Sequence, residues 1–238
     1  MDKKIIELER VLKAEPDNLS ALEAISYAYD RVGKKNEAIV SRILFRLHKN
    51  KITEKKIIAA AKLGYRPAQE VCNDYSESFS WDNRDRKELL KYYFSKDDAI
   101  SLGRDLARRA INNCKDYYSE EEFSILNDCL NLVGKKFPRT EIDLAWNEAQ
   151  RIANKGKYTL DRSITTNKSV KIYNATRAVS NIIFAEKEYR RVPDDKERII
   201  ISIAGVCLNF INSSNFSRHA AEIRWEKQRF AEYLIGEA

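Results

Sequence analysis

Apolar residues recur at helical spacing along nearly the whole chain. Near the amino end, Ile5, Leu8, Val11 and Leu12 follow one another at intervals of three, three and one residues. Because such a row lies along one face of an α-helix, it predicts an amphipathic helix that packs against a neighbour. Runs of strand length that alternate apolar and polar residues do not occur in the sequence. The pattern predicts an all-α protein of about a dozen helices.

Residues that start and stop helices divide these rows into short elements. Three capping sequences are present, in which a serine and an acid bind the free backbone N–H groups of a first turn. They are Ser20-x-x-Glu23, Ser95-x-x-Asp98 and Ser119-x-x-Glu122, and the glycines that end helices are Gly33, Gly64 and Gly134. A turn-like stretch at 76–85 and a polar connection at 155–167 interrupt the helices. We predict a helical-hairpin region over 1–76 and a helical bundle over 84–238, which share one core because no long linker separates them.

The composition is that of a folded helical protein. The 238 residues are 43% hydrophobic and 33% charged, and only 7 glycines and 4 prolines occur, which is few for a strand-and-turn architecture. The four cysteines show no paired spacing, which predicts free thiols in a reducing compartment. The longest apolar run, 199–211, is too short to span a bilayer, and no signal peptide is recognisable. We therefore expect a cytoplasmic protein that makes no membrane contact.

Residues 16–39 carry small, aromatic and turn residues at characteristic positions. The positions are Pro16, Asp17, Asn18, Leu22, Ile25, Ala28, Tyr29, Val32, Gly33, Glu37, Ala38 and Ile39. This set resembles a tetratricopeptide repeat, and the likeness extends over residues 5–50. It implies that Ala38 packs into the preceding helix and that Gly33 forms the turn between the two helices. The likeness weakens at Arg42 and Phe45, where an aromatic and a small residue are usual, and at Asn50, which replaces a closing proline.

The tetratricopeptide resemblance also implies a binding surface. In that family the first helix of each repeat lines a concave groove that holds a peptide. The residues on that face here are Glu23, Tyr27, Asp30 and Arg31. They combine an aromatic ring with charges of both signs, which is typical of peptide-binding grooves, although a plain solvated face fits the pattern equally well. The resemblance therefore implies a protein partner.

A second likeness covers residues 57–235. The run AAKLGYRPAQEVC is followed by a linker that contains Trp81, by DLARRAINNC, and by an apolar and then an amphipathic helix at the end. This order is similar to helical immunity proteins encoded beside bacterial toxins. It implies a bacterial protein that occupies the surface of one partner.

Basic and aromatic residues are concentrated between residues 151 and 177. The candidates are Arg151, Lys155, Lys157, Tyr158, Arg162, Lys168, Lys171, Tyr173 and Arg177, and Asp161 is the only acid among them. Lysine and arginine contact phosphates, and aromatic rings stack on bases, so the segment could bind single-stranded RNA or DNA. A solvated loop or an acidic protein partner would give the same composition. The net charge of +7 permits each of these interpretations.

Catalytic and cofactor motifs are weak in this sequence. The two histidines, His48 and His219, do not occur in a metal-binding spacing, and Gly134-Lys135-Lys136 lacks the other residues of a phosphate-binding loop. We therefore expect no cofactor, no metal and no enzyme activity. The leading hypothesis is a non-enzymatic protein-interaction module of the bacterial adaptor or immunity type. The alternatives are nucleic-acid binding through 151–177 and a helical enzyme whose site assembles from distant residues.

Overall fold

The computed structural model describes residues 2–72, 79–135, 137–160, 167–192, 195–214 and 218–238, with the side chains of 156–160 and 167 excepted. These residues form twelve α-helices, one short 3-10 turn at Lys115–Tyr117 and no strand, which confirms the all-α prediction. The helices are α1 Lys3–Ala14, α2 Leu19–Arg31, α3 Lys35–His48, α4 Glu54–Lys62, α5 Arg66–Cys72, α6 Asn83–Tyr93, α7 Lys96–Asn113, α8 Glu120–Leu132, α9 Arg139–Leu160, α10 Asn167–Arg191, α11 Lys196–Ser213 and α12 His219–Ile235. Within the described ranges, none is both long and apolar enough to cross a membrane.

The chain divides into two compact units. The first consists of residues 1–80 together with 227–238, and the second of residues 81–226. Helix α12 therefore contributes its first half to the second unit and its second half to the first. The sequence-based division placed the whole of this helix with the bundle at 84–238.

Helices α1, α2 and α3 of the first unit pack through the apolar rows of the sequence. One buried cluster joins Ile5 of α1, Ile25, Ala28 and Tyr29 of α2, and Ala38 of α3. Ala38 is completely buried, and Tyr29 donates a hydrogen bond of 2.7 Å from its hydroxyl to Glu9. Burial, together with this hydrogen bond, raises the pKa of Tyr29 above its ordinary value. The small side chain of Ala38 allows α3 to approach α2 closely.

The turns between these helices use left-handed residues. Gly33, Gly64 and Gly134 all have φ near +80°, which confirms that these glycines end their helices. Asn50, which departs from the tetratricopeptide pattern, also adopts a left-handed φ of 55°. It follows α3, where the Lys51 N–H donates to the Arg46 carbonyl at 2.8 Å. Asparagine tolerates this conformation better than most residues, so α3 ends without a proline.

Two local predictions were wrong. Helix α2 begins earlier than predicted, because the side chain of Asn18, rather than Ser20, accepts the capping hydrogen bond, from the Ala21 N–H at 3.0 Å. Helix α9 continues to Leu160, whereas the sequence suggested a polar connection from residue 155. By contrast, Ser119 and Glu122 form the predicted capping box of α8. The signals failed where two candidate caps compete and where a run rich in polar residues continues a helix.

The second unit is built around α7, α10 and α11. Helix α10 packs against α7, α9 and α11, and α7 also packs against α11. Buried residues of α7 include Leu102, Gly103 and Leu106. Helices α10 and α11 leave no room for a side chain at Gly103. A Cβ built at this position would lie 2.6 Å from the Ile182 Cδ1 atom and 2.7 Å from the Ile203 Cδ1 atom.

The four cysteines are all free, and they differ in access. Cys72 is half-buried, whereas Cys114, Cys129 and Cys207 are buried, and burial raises the pKa of all four thiols. We expect iodoacetamide at pH 7 to alkylate Cys72 first, and the other three about a hundredfold more slowly, because they must wait for local opening. A mass-spectrometric time course with and without urea measures these rates. Equal native rates for Cys72 and Cys207 would contradict the packing around α11.

Candidate functional site

Three of the four groove residues predicted from sequence form one row on α2. Glu23, Tyr27 and Arg31 are four residues apart and line a single surface pocket of about 380 Å³. Spacing of four places side chains above one another on a helix, so the row faces one way. Tyr27 stands in the middle and is 62% exposed. The remaining lining residues come from α2 and from the beginning of the chain, namely Asp2, Lys4, Ser20, Ala24 and Ala28.

The charged side chains of this pocket are available to a partner. Among the described residues, Glu23, Arg31 and Lys4 make no side-chain hydrogen bond or ion pair. The Asp2 carboxylate already has a hydrogen-bond partner, because it accepts the backbone N–H of Lys4 at 2.9 Å and caps α1. The pocket therefore presents two free cations and one free carboxylate around an exposed aromatic ring.

Asp30, the fourth predicted residue, lies elsewhere. Its carboxylate accepts a hydrogen bond of 2.8 Å from Arg42 of α3. The guanidinium of Arg42 also donates to Glu237, at 2.8 to 3.0 Å, and Arg46 binds the same carboxylate. The hydrogen bonds that Arg42 donates to Glu237 raise the pKa of Arg42, although burial opposes this. Asp30 thus belongs to an ion-pair network that holds the end of the chain on α3, and it does not line the pocket.

The predicted basic segment is divided between α9 and α10, and several of its cations are already engaged. Arg151 pairs with Glu148 at 2.8 Å and Lys155 with Glu122 at 2.9 Å. Arg177 donates to the Gln150 side chain at 3.1 Å. Arg151 and Lys155 thus each have a carboxylate partner, whereas Gln150 leaves the charge of Arg177 uncompensated.

The other members of the basic segment differ in exposure. Lys171 is buried and Tyr173 is half-buried on α10. Lys168 is exposed, with its Nζ atom 5.3 Å from the centroid of the Tyr117 ring. The side chains of Lys157 and Tyr158, and the whole of Arg162, lie outside the described residues. Of the described members, Arg151, Lys155 and Lys168 are thus exposed, Tyr173 and Arg177 are half-buried, and Lys171 is buried.

No known family, characterised protein or solved structure matches this chain. The resemblances at residues 5–50 and 57–235 therefore stay predictions.

A second surface was not anticipated from the sequence. A groove of about 1230 Å³ lies between α6 and the start of α11. Tyr92 and Ile201 are 65% and 54% exposed in it, although both are large and carry apolar surface. Its other lining residues are Asn83, Arg84, Lys87, Glu88, Lys91, Asp195, Lys196, Glu197 and Ile200. The spacing of Arg84, Lys87 and Lys91 at helical intervals was the available signal, but it is indistinguishable in sequence from an ordinary solvated face.

A buried polar cluster in the second unit joins residues that are distant in sequence. The Glu226 carboxylate of α12 accepts two hydrogen bonds from Arg86 of α6, at 2.8 and 3.0 Å, and one from the Trp81 indole N–H at 2.8 Å. The Arg86 guanidinium also lies 5.0 Å from the centroid of the Trp81 ring. Burial lowers the pKa of Arg86. The hydrogen bonds to Glu226 and the charge of Glu226 raise this pKa by more than burial lowers it, so the net shift is upward. Because these groups satisfy one another and are buried, the cluster is structural.

Metal binding by the described residues would need a cluster of ligating side chains. These residues contain no group of three or more His, Cys, Asp or Glu side chains placed to hold a metal ion. His219 stands near the start of α12, where its Nδ1 atom is 3.3 Å from the Ser214 hydroxyl. His48 is the last residue of α3. The two histidines thus lie at helix ends.

Proposed function

We propose that this protein is a non-enzymatic interaction module that binds a partner protein through the α2 pocket. The observation that carries the proposal is the row of Glu23, Tyr27 and Arg31, whose charged members are unpaired and whose central ring is 62% exposed. Tyrosine and arginine are the residues that most often dominate binding energy in protein interfaces.

The dimensions of the row favour a polypeptide partner. The eight residue steps from Glu23 to Arg31 span about 12 Å along the helix, which equals roughly two helical turns of a bound segment. Opposite charges at the two ends would fix the direction of that segment, since only one orientation brings its acid to Arg31 and its base to Glu23.

The finer proposal is a bacterial adaptor or immunity-type protein. Support comes from the similarity of residues 57–235 to helical immunity proteins and from the tetratricopeptide resemblance at 5–50. A protein of this type acts by covering a surface of its partner, so it needs affinity and no reaction chemistry. The expected partner is therefore a single protein bound at fixed stoichiometry.

Substitution of Tyr27 is expected to reduce partner capture about tenfold or more. Tyr27→Ala removes the anchor ring, and Arg31→Glu reverses the charge at one end of the row; truncated interface anchors commonly cost about 2 kcal/mol or more. Tagged full-length protein and its variants are incubated in native lysate, with and without nuclease, and the bound proteins are quantified by mass spectrometry. Leu144→Ala is the matched control, because Leu144 is 64% exposed but lies on α9.

Each outcome of this capture experiment separates the hypotheses. One protein that survives nuclease, binds the Leu144→Ala variant and is lost with Tyr27→Ala and Arg31→Glu would support the α2 pocket. Equal recovery by all variants would refute it. Ribonucleoproteins that disappear with nuclease would favour the 151–177 segment, and a cofactor or metal bound to the purified protein would favour the helical enzyme.

A further inference from the structure

The α6–α11 groove has an apolar floor and a positively charged wall. Tyr92 and Ile201 project into it with more than half of each side chain exposed, and Ile200 lies buried beneath them. Arg84, Lys87 and Lys91 occupy successive turns of α6 and are all exposed. In the part of the chain that the structure describes, none of these three cations has an ion-pair partner.

The other charged groups of the groove do not cancel the positive charge of this wall. Glu88 lies among the three cations on α6, and Glu197 lies opposite on α11. Asp195 is engaged, since it caps α11 by accepting the Arg198 N–H and also pairs with the Arg198 guanidinium at 3.0 Å. The Lys196 ammonium donates to the carbonyls of Lys91 and Phe94, at 2.7 and 2.9 Å. Among the described residues, three cations and two carboxylates of the groove thus lack ion-pair partners, and the Lys91 Nζ atom also lies 5.2 Å from the centroid of the Tyr92 ring.

The groove is held in shape by buried contacts on its inner side. Arg86 turns inward to Glu226, and Leu89 and Leu90 are buried, so the opposite face of α6 must point outward. The bonds from Lys196 join the start of α11 to the end of α6. A preformed surface of this kind loses little conformational entropy when a partner binds.

The volume of the groove favours a polypeptide over a small molecule. Small-molecule pockets usually occupy about 300–1,000 Å³, and this groove exceeds that range. The nine residue steps from Asn83 to Tyr92 correspond to about 13 Å, or roughly two and a half turns of a docked helix. Apolar side chains at helical spacing on such a helix would cover Tyr92 and Ile201.

We infer that the α6–α11 groove binds an acidic amphipathic helix of another protein. The apolar face of that helix covers Ile201 and Tyr92, and its carboxylates face Arg84, Lys87 and Lys91. The net charge of +7 assists the approach of an acidic partner. This surface is separate from the α2 pocket, so either proposal can fail while the other stands.

A display library of 18-residue helical peptides tests the inference. Apolar and charged positions are randomised, and the full-length chain is the bait. We expect enriched peptides to combine a large apolar row with a net negative charge. A triple variant, Arg84→Glu with Lys87→Glu and Lys91→Glu, and separately Ile201→Glu, should bind these peptides at least tenfold more weakly. Affinity for the native protein should also decline between 50 and 500 mM NaCl, because exposed charges are screened.

Three controls make the result specific. Leu144→Ala and Tyr27→Ala should bind the enriched peptides with the affinity of the native protein. Unchanged binding by Tyr27→Ala would show that the peptides do not occupy the α2 pocket. Tryptophan fluorescence should be unchanged in the triple variant, since its substitutions are exposed.

The inference is wrong if no peptide is enriched, if enriched peptides carry no acidic excess, or if the triple variant keeps full affinity. Displacement of the peptides by a single-stranded oligonucleotide would indicate that the cations bind phosphate, and would overturn the inference. Self-association of the native protein that is lost with Ile201→Glu would indicate that a second copy occupies the groove, and would also overturn it.

Discussion

Glu226→Ala is expected to lower the free energy of unfolding of the second unit by about 3–5 kcal/mol. The substitution leaves the Arg86 guanidinium buried without its counter-charge and removes the acceptor of the Trp81 indole N–H. Breaking one side of a buried ion pair is strongly destabilising, because the remaining charge keeps its desolvation cost and loses the compensating attraction. The effect should exceed that of any exposed ion pair in the chain.

Urea denaturation followed by tryptophan fluorescence measures this effect. All three tryptophans, Trp81, Trp146 and Trp225, lie within residues 81–226, so the signal reports on the second unit. The double variant Arg86→Met with Glu226→Leu should recover most of the loss, since it leaves no unpaired buried charge. Arg151→Ala, which breaks an exposed pair with Glu148, should leave the urea midpoint almost unchanged. A loss below about 1 kcal/mol for Glu226→Ala, or no recovery in the double variant, would show that the pair contributes little.

The helices themselves could be predicted because their causes are local. Apolar rows, capping residues such as Ser119 and left-handed glycines such as Gly33 act within a few residues of each other. The sequence therefore carried enough information for the all-α class and for most helix positions. The wrong cap at Ser20 shows the limit, since Asn18 competes for the same first turn.

The candidate sites were only partly predictable because partners come from distant parts of the chain. Glu23, Tyr27 and Arg31 share a face through spacing alone, so helical periodicity was sufficient to group them. Asp30 was grouped with them, but Arg42 draws its carboxylate towards α3. Lys171 was assigned to an exposed basic surface and is buried. Nothing in the sequence around residue 30 or 171 indicates these long-range contacts.

The α6–α11 groove illustrates the same difficulty for apolar residues. Ile201 lies in the most apolar run of the chain, 199–211, which predicts a buried helix. The structure buries Ile199, Ile203 and Phe210 in that run, yet leaves Ile201 and Leu208 exposed. Which face of α11 remains uncovered depends on how α6, α7 and α10 pack around it. Ser202 and Asn209 lie on the same less buried side of α11 as Ile201 and Leu208, but two polar residues in an apolar run were too weak a signal to predict which face is exposed.

Gly103 is the second residue whose role depends on distant neighbours. It stands in the interior of α7, where glycine is less favourable than alanine by about 1 kcal/mol. The cost is explained by the close approach of α10 and α11, whose Ile182 and Ile203 Cδ1 atoms occupy the space of a side chain. Both isoleucines are completely buried, so neither can move without disturbing the core.

Gly103→Leu is therefore expected to destabilise the second unit by about 3 kcal/mol, because the added methylenes have no free volume to occupy. Gly103→Ala should also be destabilising, by about 1 kcal/mol, since overpacking outweighs the gain in helix propensity. Gly205→Ala is the matched control, because its Cβ would meet only the Asn181 side chain, with the Nδ2 atom at 2.8 Å and the Cγ atom at 3.7 Å. Asn181 is half-buried, and its side chain can rotate away. That variant should keep or slightly increase stability, again measured by urea denaturation with tryptophan fluorescence. If both alanine variants were equally stable, the close contact of α7 with α10 and α11 would not be the reason for a glycine at position 103.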